Sequence, residues 1–277
     1  MRCAWKELLA ILPLWLRKDV DRLGRDIAQE IRLRQDAPPE LVLAGRSQWL
    51  ERKVTGEDLA FCVNAASRYS PWNAATAAKG YITAPGGHRI GLCGEAAAEG
   101  EDVRGIRRVT SLCIRVARDF PGIGRGAAET GSLLIIGAPG WGKTTLLRDL
   151  IRQVSDAGTH TAVVDERGEL FPSAAGFPAG RCTDVLTGCG KADGIDMVLR
   201  TMGPACIAMD EVTAEADCQA LIRAGWCGVR LLATAHAAST RELRSRPVYK
   251  PLADSGIFTA VLVMAPDKTY RMERMGA

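Results

Sequence analysis

The sequence predicts an α/β fold with two domains. We expect a smaller α+β domain over residues 1–120, a linker over 121–131, and a larger domain over 132–277 whose mostly parallel sheet has helices on both faces. After residue 131, short apolar runs alternate with helical segments, as in parallel sheets with crossover helices. Before residue 121, strands and helices are mixed, and the Gly-rich segment Pro121–Thr130 shows no strong periodicity.

Length and composition fit this division. The 277 residues allow about two ordinary domains, and the 47% apolar and 25% charged content excludes a disordered or collagen-like chain. The net charge of +4 permits contact with nucleic acid or anionic lipid but does not argue for it. Nine cysteines without a C-x-x-C pair argue against a disulfide framework and a zinc site, and they indicate the reducing cytosol.

One apolar run near the start, Leu8–Leu16, is too short to span a bilayer, which takes about 18–20 residues. Pro13 interrupts it, charged residues flank it, and no small-x-small cleavage motif follows. A helix packed on its own domain is therefore favoured over a signal peptide. The sequence predicts a chain with no transmembrane segment of its own.

The first domain is expected to contain helices and short strands. Helical spacing predicts Trp5–Leu12, Val20–Gln29 and Thr55–Tyr69, the last with Thr55 as N-cap and Asp58 three residues later. The predicted strands are Glu30–Leu33, Glu40–Leu43, Tyr81–Ala84, His88–Cys93 and Ser111–Val116. The turn Pro85-Gly86-Gly87 is expected to join two of them into a hairpin.

The second domain is expected to alternate strands with helices. The predicted strands are Ser132–Ile136, Thr161–Asp165, Cys206–Asp210, Val229–Ala235, Thr259–Ala265 and Thr269–Met275. The predicted helices are Thr144–Val154, Gly190–Met202 and Ala214–Ala224.

The loop between the first of these strands and its helix carries a phosphate-binding motif. Residues 137–144 fit G-x-x-x-x-G-K-[ST] in the strand–loop–helix setting that the motif requires. Glycines let backbone N–H groups surround phosphate oxygens, and the helix adds the positive end of its dipole. We expect Lys143 to bind the β- and γ-phosphates of ATP and Thr144 to bind Mg²⁺. The predicted nucleotide-binding residues are Gly137, Ala138, Pro139, Gly140, Trp141, Gly142, Lys143, Thr144 and Thr145.

A second motif places two carboxylates, Asp210 and Glu211, at the end of an apolar strand. Asp210 is expected to hold Mg²⁺, usually through water, and Glu211 to polarise the water that attacks the γ-phosphate. The adjacent Glu favours a hydrolytic ATPase over most nucleotide kinases and GTPases. Such ATPases have an additional strand between the one before the phosphate loop and the one that carries the Asp.

Two lesser motifs follow other strands. The segment Asp165–Glu169 is either part of the ligand crevice, with Glu166 as a catalytic candidate, or a solvated loop with local ion pairs. Thr234-Ala235-His236 also ends a strand. His236 is either a catalytic residue that responds to the γ-phosphate or a histidine that caps the next helix or contacts backbone.

These motifs together resemble the secretion ATPases of type II and type IV systems, which form hexameric rings. Their phosphate loop, acidic box, Asp/Glu strand and histidine box look like 137–144, 165–169, 210–211 and 234–236 here, although secretion ATPases often have Gly-Glu at 210–211. The chain is still more similar to the stage III sporulation protein AA family of endospore-forming bacteria. That similarity is carried by Glu30–Arg34, Gly80–Thr83, Gly87–Glu95 and Ile114–Arg118, of which the G-G-H-R-x-G-L-x-G-E segment is the most specific.

This resemblance, which covers nearly the whole chain, implies a RecA-like P-loop ATPase domain behind the smaller N-terminal domain. It implies ATP and Mg²⁺ as cofactors and self-assembly into a ring, expected to be a hexamer. It also implies a cytosolic location in the mother cell, peripheral at the forespore-facing membrane. The partners would be membrane proteins of a channel or secretion-like complex that the ATPase powers or assembles.

Two other functions stay open. A nucleic-acid translocating motor could use the basic residues between Arg104 and Arg125, but that stretch has no aromatic residue before Phe120 on which bases could stack, so nucleic acid is not the expected partner. A nucleotide-dependent scaffold would bind ATP with little turnover. Because the ATPase half has no obvious arginine finger, the candidates to reach a neighbour's ATP in trans are Arg89, Arg107 and Arg115.

Overall fold

The structure is a computed structural model that describes residues 1–43, 45–67, 77, 80–99, 102–128, 131–172 and 175–275. These residues divide into two units, each with its own sheet. Unit 1 comprises Met1–Asp119 and Pro172–Gly176, and unit 2 comprises Phe120–Phe171 and Phe177–Ala277. The predicted α/β class, with a mostly parallel sheet in the second half, is confirmed.

Unit 1 combines an antiparallel sheet with helices. Its strands are β1 (Ala28–Arg34), β2 (Glu40–Leu43), β3 (Arg46–Trp49), β4 (Tyr81–Thr83), β5 (Arg89–Glu99) and β6 (Asp102–Arg115). Its helices are α1 (Trp5–Ala10), α2 (Leu14–Leu23) and α3 (Gly56–Ser67). The six strands lie in the order β3-β2-β1-β6-β5-β4, and all adjoining strands are antiparallel.

The alternation in β1 shows why one face of this sheet is buried. Successive side chains of a strand point to opposite faces. Ile31 and Leu33 are therefore buried on one face, whereas Arg32 and Arg34 lie half-buried on the other. Apolar residues of α1, α2 and α3 share a single core with the buried face. The opposite face of β1 carries the charged side chains of Arg32 and Arg34.

The predicted helix at Val20–Gln29 is wrong in position. The helix α2 begins directly after Pro13 and ends before Gly24, which has a φ of +78°. A glycine with positive φ is a common helix terminator. From Ala28 the chain already belongs to β1, where the period-two alternation outweighs the weak helical spacing.

The start of α3 agrees with the sequence. Thr55 N donates to Asp58 Oδ2 at 2.9 Å, and Asp58 N donates to Thr55 Oγ1 at 3.1 Å. This reciprocal pair satisfies two N–H groups at the helix start. The predicted end at Tyr69 lies outside the described residues.

The predicted hairpin between β4 and β5 is confirmed, with the Pro85–Gly87 turn between its strands. Both β5 and β6 are longer than predicted and continue together beyond Cys93, with register shifts along the way. At Gly94 an added Cβ would lie 1.8 Å from Arg108 O, so only glycine allows this approach of the two strands. Such shifts break the alternation on which strand prediction depends.

Unit 2 contains a seven-stranded sheet. Its strands are β7 (Leu133–Ile136), β8 (Thr161–Asp165), β9 (Thr183–Thr187), β10 (Cys206–Val212), β11 (Arg230–Ala235), β12 (Ala260–Met264) and β13 (Tyr270–Arg274). Its helices are α4 (Lys143–Asp156), α5 (Lys191–Met202), α6 (Glu215–Trp226), α7 (Thr240–Ser245) and α8 (Lys250–Asp254). The strand order is β13-β12-β7-β11-β10-β8-β9, parallel except for the β12–β13 pair.

Two features of this sheet agree with the sequence. β11 lies between β7 and β10, as predicted for the additional strand. Helices cover both faces of the sheet. On one face, α5 and α6 share a core with Leu134 and Ile136 of β7, whereas Leu133 and Ile135 are not part of that core. α4 also packs on the strands but does not belong to that core. The sequence did not predict β9, whose residues are at most half-buried, or the short helices α7 and α8.

The segment predicted as a linker packs within unit 2. Gly122 N and Gly124 N donate to the two carboxylate oxygens of Asp149 on α4, each at 2.8 Å. Arg152 also pairs with Asp149, at 2.8 Å. Residues 121–128 are therefore bound to α4 as a series of turns.

Candidate functional site

The loop Gly137–Gly142 connects β7 to α4 at the carboxyl end of the parallel strands. Gly140 has a φ of +79° and Gly142 a φ of +95°, a backbone region that side chains disfavour. Gly142 occupies the N-cap position of α4, and no side chain among the described residues caps this helix start. The first N–H groups of α4 and the partial positive charge of its dipole are therefore directed at the loop.

Lys143, the first residue of α4, is buried, and its ammonium group contacts three polar partners. Its Nζ donates to Gly137 O at 2.8 Å and to Ala138 O at 3.0 Å, and it lies 3.2 Å from His236 Nδ1. Burial lowers the pKa of Lys143, and the nearby carboxylates of Asp210 and Glu211 oppose that shift. The ammonium thus sits at the base of the loop, between backbone carbonyls and the acidic end of β10.

Asp210 lies between two hydroxyl groups. Thr144 Oγ1 donates to Asp210 Oδ2 at 2.7 Å, and Thr234 Oγ1 donates to Asp210 Oδ1 at 2.5 Å. Thr234 Oγ1 in turn accepts from Glu211 N at 2.7 Å. These hydrogen bonds join the start of α4, β10 and β11. Thr144, Asp210 and Thr234 belong to three motifs that are far apart in the sequence.

Glu211 has an unusual backbone and a well-defined side chain. Its φ is +58°, rare for a residue other than glycine, and the register between β10 and β11 shifts between Met209 and Val212. Its Oε1 lies 2.9 Å from His236 Nε2, and its Oε2 lies 3.5 Å from Arg167 NH1. Burial favours a higher pKa for Glu211, but the hydrogen bond from His236 and the charge of Arg167 together hold it below its usual value.

These contacts define the protonation of His236. The Lys143 ammonium can only donate, so His236 Nδ1 is the acceptor and His236 Nε2–H donates to Glu211. A continuous hydrogen-bonded chain thus runs from Lys143 through His236 to the carboxylate of Glu211.

The acidic segment after β8 is partly structural. Asp165 accepts from the backbone N–H groups of Glu169, Leu170 and Phe171 at 2.8–3.2 Å. Burial raises the pKa of Asp165 to about 6 despite these amides. Arg148 of α4 donates to Glu169 O at 2.9 Å and also to Leu170 O. Asp165 therefore shapes the loop.

Glu166 faces a buried lysine that the motifs did not reveal. Lys191, the first residue of α5, has its Nζ 3.5 Å from Glu166 Oε2 and donates to Glu211 O at 2.7 Å. Glu166, Arg167 and Lys191 line one cleft together with Asp210 and Glu211. The Gly190-Lys191 helix start was visible in the sequence, but its contact with β10 depends on the fold.

The structure brings most of the predicted site residues together. Direct hydrogen bonds join Lys143, His236 and Glu211 in one group and Thr144 and Asp210 in another. Thr234 connects the two groups, because its hydroxyl donates to Asp210 and accepts from Glu211 N. Within the loop, Gly137 is buried, whereas Pro139 and Gly140 are exposed to solvent. The other predicted nucleotide-binding residues are half-buried: Ala138, Trp141, Gly142 and Thr145 of α4.

The three arginines proposed to act in trans lie elsewhere, on β5 and β6 of unit 1. Arg89 stacks on the ring of Tyr81, with 4.3 Å between its guanidinium carbon and the ring centroid. Arg107 pairs with Glu95 at 2.9 Å, and Arg115 lies 3.5 Å from Glu30.

A family model supplies the identity. The model of sporulation stage III, protein AA, matches residues 4–272. The chain belongs to the stage III sporulation protein AA family. The stage III sporulation protein AA of Bacillus subtilis (strain 168) is 36% identical over 255 residues, which cover 87% of this chain and 83% of that protein. A Porphyra purpurea protein, ycf45, is 28% identical over 259 residues, 89% of this chain and 43% of its own length.

Solved structures share the fold of this family member. The ATPase DotB of Legionella pneumophila superposes with a TM-score of 0.60 at 17% identity, over 95% of this chain and 80% of DotB. The pilus retraction motor PilT, solved with bound ADP, gives a TM-score of 0.61 at 16% identity, over 89% of this chain and 76% of PilT. At such identity the likeness establishes the RecA-like α/β fold. In the described part of this chain, no helix is long and apolar enough to cross a membrane.

Proposed function

We propose that this family member is a Mg²⁺-dependent ATPase. The observation that carries the proposal is the hydrogen-bonded set of Lys143, Thr144, Asp210, Glu211 and His236 at the carboxyl ends of β7, β10 and β11. Ligands of open parallel sheets bind at this edge. The shared fold with the ATPase DotB and the motor PilT supports the same conclusion.

The loop and the start of α4 would bind the phosphates of ATP. Glycines at 140 and 142 supply the backbone conformation in which consecutive N–H groups converge on an anion. Lys143 would exchange its bonds to Gly137 O and Ala138 O for the β- and γ-phosphates. Because Lys143 also contacts His236, the arrival of a phosphate would change the position of that ring.

The oxygens beside the loop fit Mg²⁺. Thr144 Oγ1 and Asp210 Oδ2, which are 2.7 Å apart, are hard oxygen donors of the kind Mg²⁺ prefers. Among the described residues, no group of three or more His, Cys, Asp and Glu could hold a metal by itself. Mg²⁺ in nucleotide sites typically takes one or two protein ligands plus phosphates, and its chemistry there is charge neutralisation at the β- and γ-oxygens.

Glu211 would act on the attacking water. The carboxylate is about one-third exposed, and His236 and Arg167 favour its ionised form. An ionised carboxylate can orient a water and accept its proton as the bond to phosphorus forms. His236 would hold the Glu211 carboxylate in place through Nε2–H. Glu166 would influence Glu211 from across the cleft through Lys191, which lies 3.5 Å from Glu166 and donates to Glu211 O.

Assembly would complete the site. We propose that copies form a ring, hexameric as in the secretion ATPases, and that Arg89, Arg107 or Arg115 reaches a neighbour's ATP. The family supports a role in sporulation. We propose that the protein powers or assembles a channel complex at the forespore-facing membrane from the mother-cell cytosol. Its membrane partners would be proteins of that complex.

A nucleic-acid motor is less well supported. Two arginines of the basic stretch, Arg107 and Arg115, are paired with Glu95 and Glu30. The part of that stretch before Phe120 offers no aromatic side chain on which bases could stack. The alternative of a scaffold with little turnover differs from the proposal only in rate.

Phosphate release from ATP tests the proposal. The purified protein should hydrolyse ATP with Mg²⁺ and stop with EDTA, and single-stranded DNA should leave the rate unchanged. Stimulation by DNA would favour the motor. Tight ATP binding without turnover, even in assembled particles, would favour the scaffold.

A further inference from the structure

Lys191 is nearly buried, with a side chain only 7% exposed, yet it lies outside every motif that predicts the site. It is the first residue of α5, and its Nζ reaches three other segments. It donates to Glu211 O near the end of β10 at 2.7 Å and to Thr213 Oγ1 just after β10 at 3.3 Å. It also lies 3.5 Å from Glu166 after β8 and 4.0 Å from Asp217 on α6.

The bond to Glu211 O matters because of the backbone at that residue. Glu211 has a φ of +58°, which is unfavourable for a side chain with a Cβ and persists only where surrounding contacts maintain it. Two contacts are available, one on each peptide group of Glu211. Thr234 Oγ1 accepts from its N–H at 2.7 Å, and Lys191 Nζ donates to its carbonyl.

We infer that Lys191 is a positioning residue for hydrolysis: together with Thr234 it fixes both peptide groups of Glu211 and so directs the Glu211 carboxylate towards the attacking water. This inference rests on the proposed ATPase function. Lys191 does not reach the phosphate loop, and its effect passes entirely through Glu211 and Glu166.

Such a role predicts a particular kinetic signature. The nucleotide contacts proposed for Lys143 and Thr144 do not involve Lys191, so the KM for ATP should change little in Lys191→Met. A displaced general base lowers kcat, and a misplacement of about 1 Å can cost about 10²-fold. We expect kcat to fall by about that factor, and Lys191→Arg, which keeps N–H donors and charge, to recover part of the loss.

A matched control is available on the same helices. Arg223 of α6 pairs with Asp196 of α5 at 3.0 Å, and its side chain is half exposed. Arg223→Met also removes a basic side chain that joins α5 to another element. Its kcat and KM should equal those of the wild type. A fall in kcat of Arg223→Met as large as that of Lys191→Met would overturn the inference, because any loosening of α5 would then suffice.

The crystal structure of Lys191→Met provides a readout that does not need turnover. Glu211 should leave the left-handed region and lose its bond to Thr234. A Glu211 that keeps a φ near +58° overturns the inference, and so does an unchanged kcat or a loss confined to KM. If the Met variant does not fold, Lys191→Gln, which cannot reach as far, is crystallised under the same criterion. If the wild type shows no ATP turnover, the proposed function fails, and the conformation of Glu211 in the variant still decides the role of Lys191.

Discussion

In the sheet of unit 1, charged side chains alternate with buried apolar residues along a strand, whereas in the central strands of the unit 2 sheet the charged side chains lie near the strand ends. Arg32, Arg34 and Glu40 alternate with buried apolar residues and pair with each other or with Glu30. In unit 2, β7, β8 and β12 are buried at every residue, because helices cover both faces. The carboxylates of Asp165 and Asp210 accordingly lie near the carboxyl ends of their strands.

This difference teaches where chemistry can be built. Paired charges spread over an open face are screened by water and contribute little individually. Groups gathered at the edge of a doubly covered sheet are partly buried and hold one another in position, as Lys143 and Glu211 do through His236. Their charges also interact: the carboxylates of Asp210 and Glu211 oppose the lowering of the pKa of Lys143 by burial. The experiments below test whether function follows this contrast.

The largest expected effect is on the rate of ATP hydrolysis and comes from an arginine of unit 1. A catalytic role for such an arginine would weaken the contrast between the two sheets. An arginine supplied in trans can contribute about 10³–10⁵ in rate. Turnover per protein should therefore rise with concentration as copies assemble, and an alanine at Arg89, Arg107 or Arg115 should abolish that rise. Mixing the inactive arginine variant with Glu211→Gln should restore activity, since one copy supplies the arginine and the other the carboxylate. Constant specific activity in a strictly monomeric protein would contradict a shared site.

Glu211→Gln should reduce kcat by about 10²–10⁴, the usual contribution of a general base. ATP affinity should stay near that of the wild type, because the loop, Lys143, Thr144 and Asp210 are untouched. Single-turnover hydrolysis measures the loss, and light scattering with ATP shows whether assembled particles accumulate. Wild-type turnover would remove Glu211 from the mechanism and direct attention to Glu166.

Lys143→Ala should weaken ATP binding by about 2–5 kcal/mol, as expected for truncating one partner of a buried charge pair. Calorimetric titration of ATP into the variant measures this change. Lys250→Ala, at an exposed lysine that also begins a helix, serves as the control. Near-normal affinity of Lys143→Ala would count against the site.

A smaller effect concerns a buried histidine in unit 1. His88 Nδ1 accepts from Ala117 N at 3.1 Å, so its Nε2–H donates to Ala4 O at 2.8 Å. Burial lowers the pKa of His88 below its ordinary 6.5, although the Ala4 carbonyl opposes the shift. The unfolded chain therefore binds the proton more readily than the folded protein. The stability contributed by neutral His88 is fully present above pH 6.5 and is lost as the pH falls below that value. Urea unfolding of the wild type between about pH 7 and pH 5 should show the loss, and His88→Gln should remove that part of the pH dependence.

The smallest effect is expected on the open face of unit 1. Arg34 pairs with Glu40 at 3.0 Å, with the arginine side chain 40% exposed. A double-mutant cycle with alanine at both positions should give a coupling of about 0.2–1 kcal/mol. A coupling well above that range would mean that this face is more than a set of solvated ion pairs.

The sequence predicted what depends on neighbours in the chain. The loop at 137–144 and the carboxylates at 210 and 211 follow from local spacing, and each comes directly after a run of four buried apolar residues. The position of α2 was missed because ten residues of mixed spacing could start at either Leu14 or Val20. The role of Lys191 was missed because its carbonyl partner lies 20 residues away on another element. The exposed strand β9 carries no alternation by which it could be found.

The two ends of unit 1 lie side by side. Arg2 N donates to Asp119 O at 2.8 Å, and Asp119 N donates to Arg2 O at 2.9 Å. This short antiparallel bridge is the last attachment of unit 1 before the chain enters unit 2. A force that separates these two segments would break the two Arg2–Asp119 hydrogen bonds first. The force would then act on the hydrogen bonds of His88 with Ala4 and Ala117. Tension between these two segments would thus open unit 1 in two steps, of which the loss of the His88 contacts is the second.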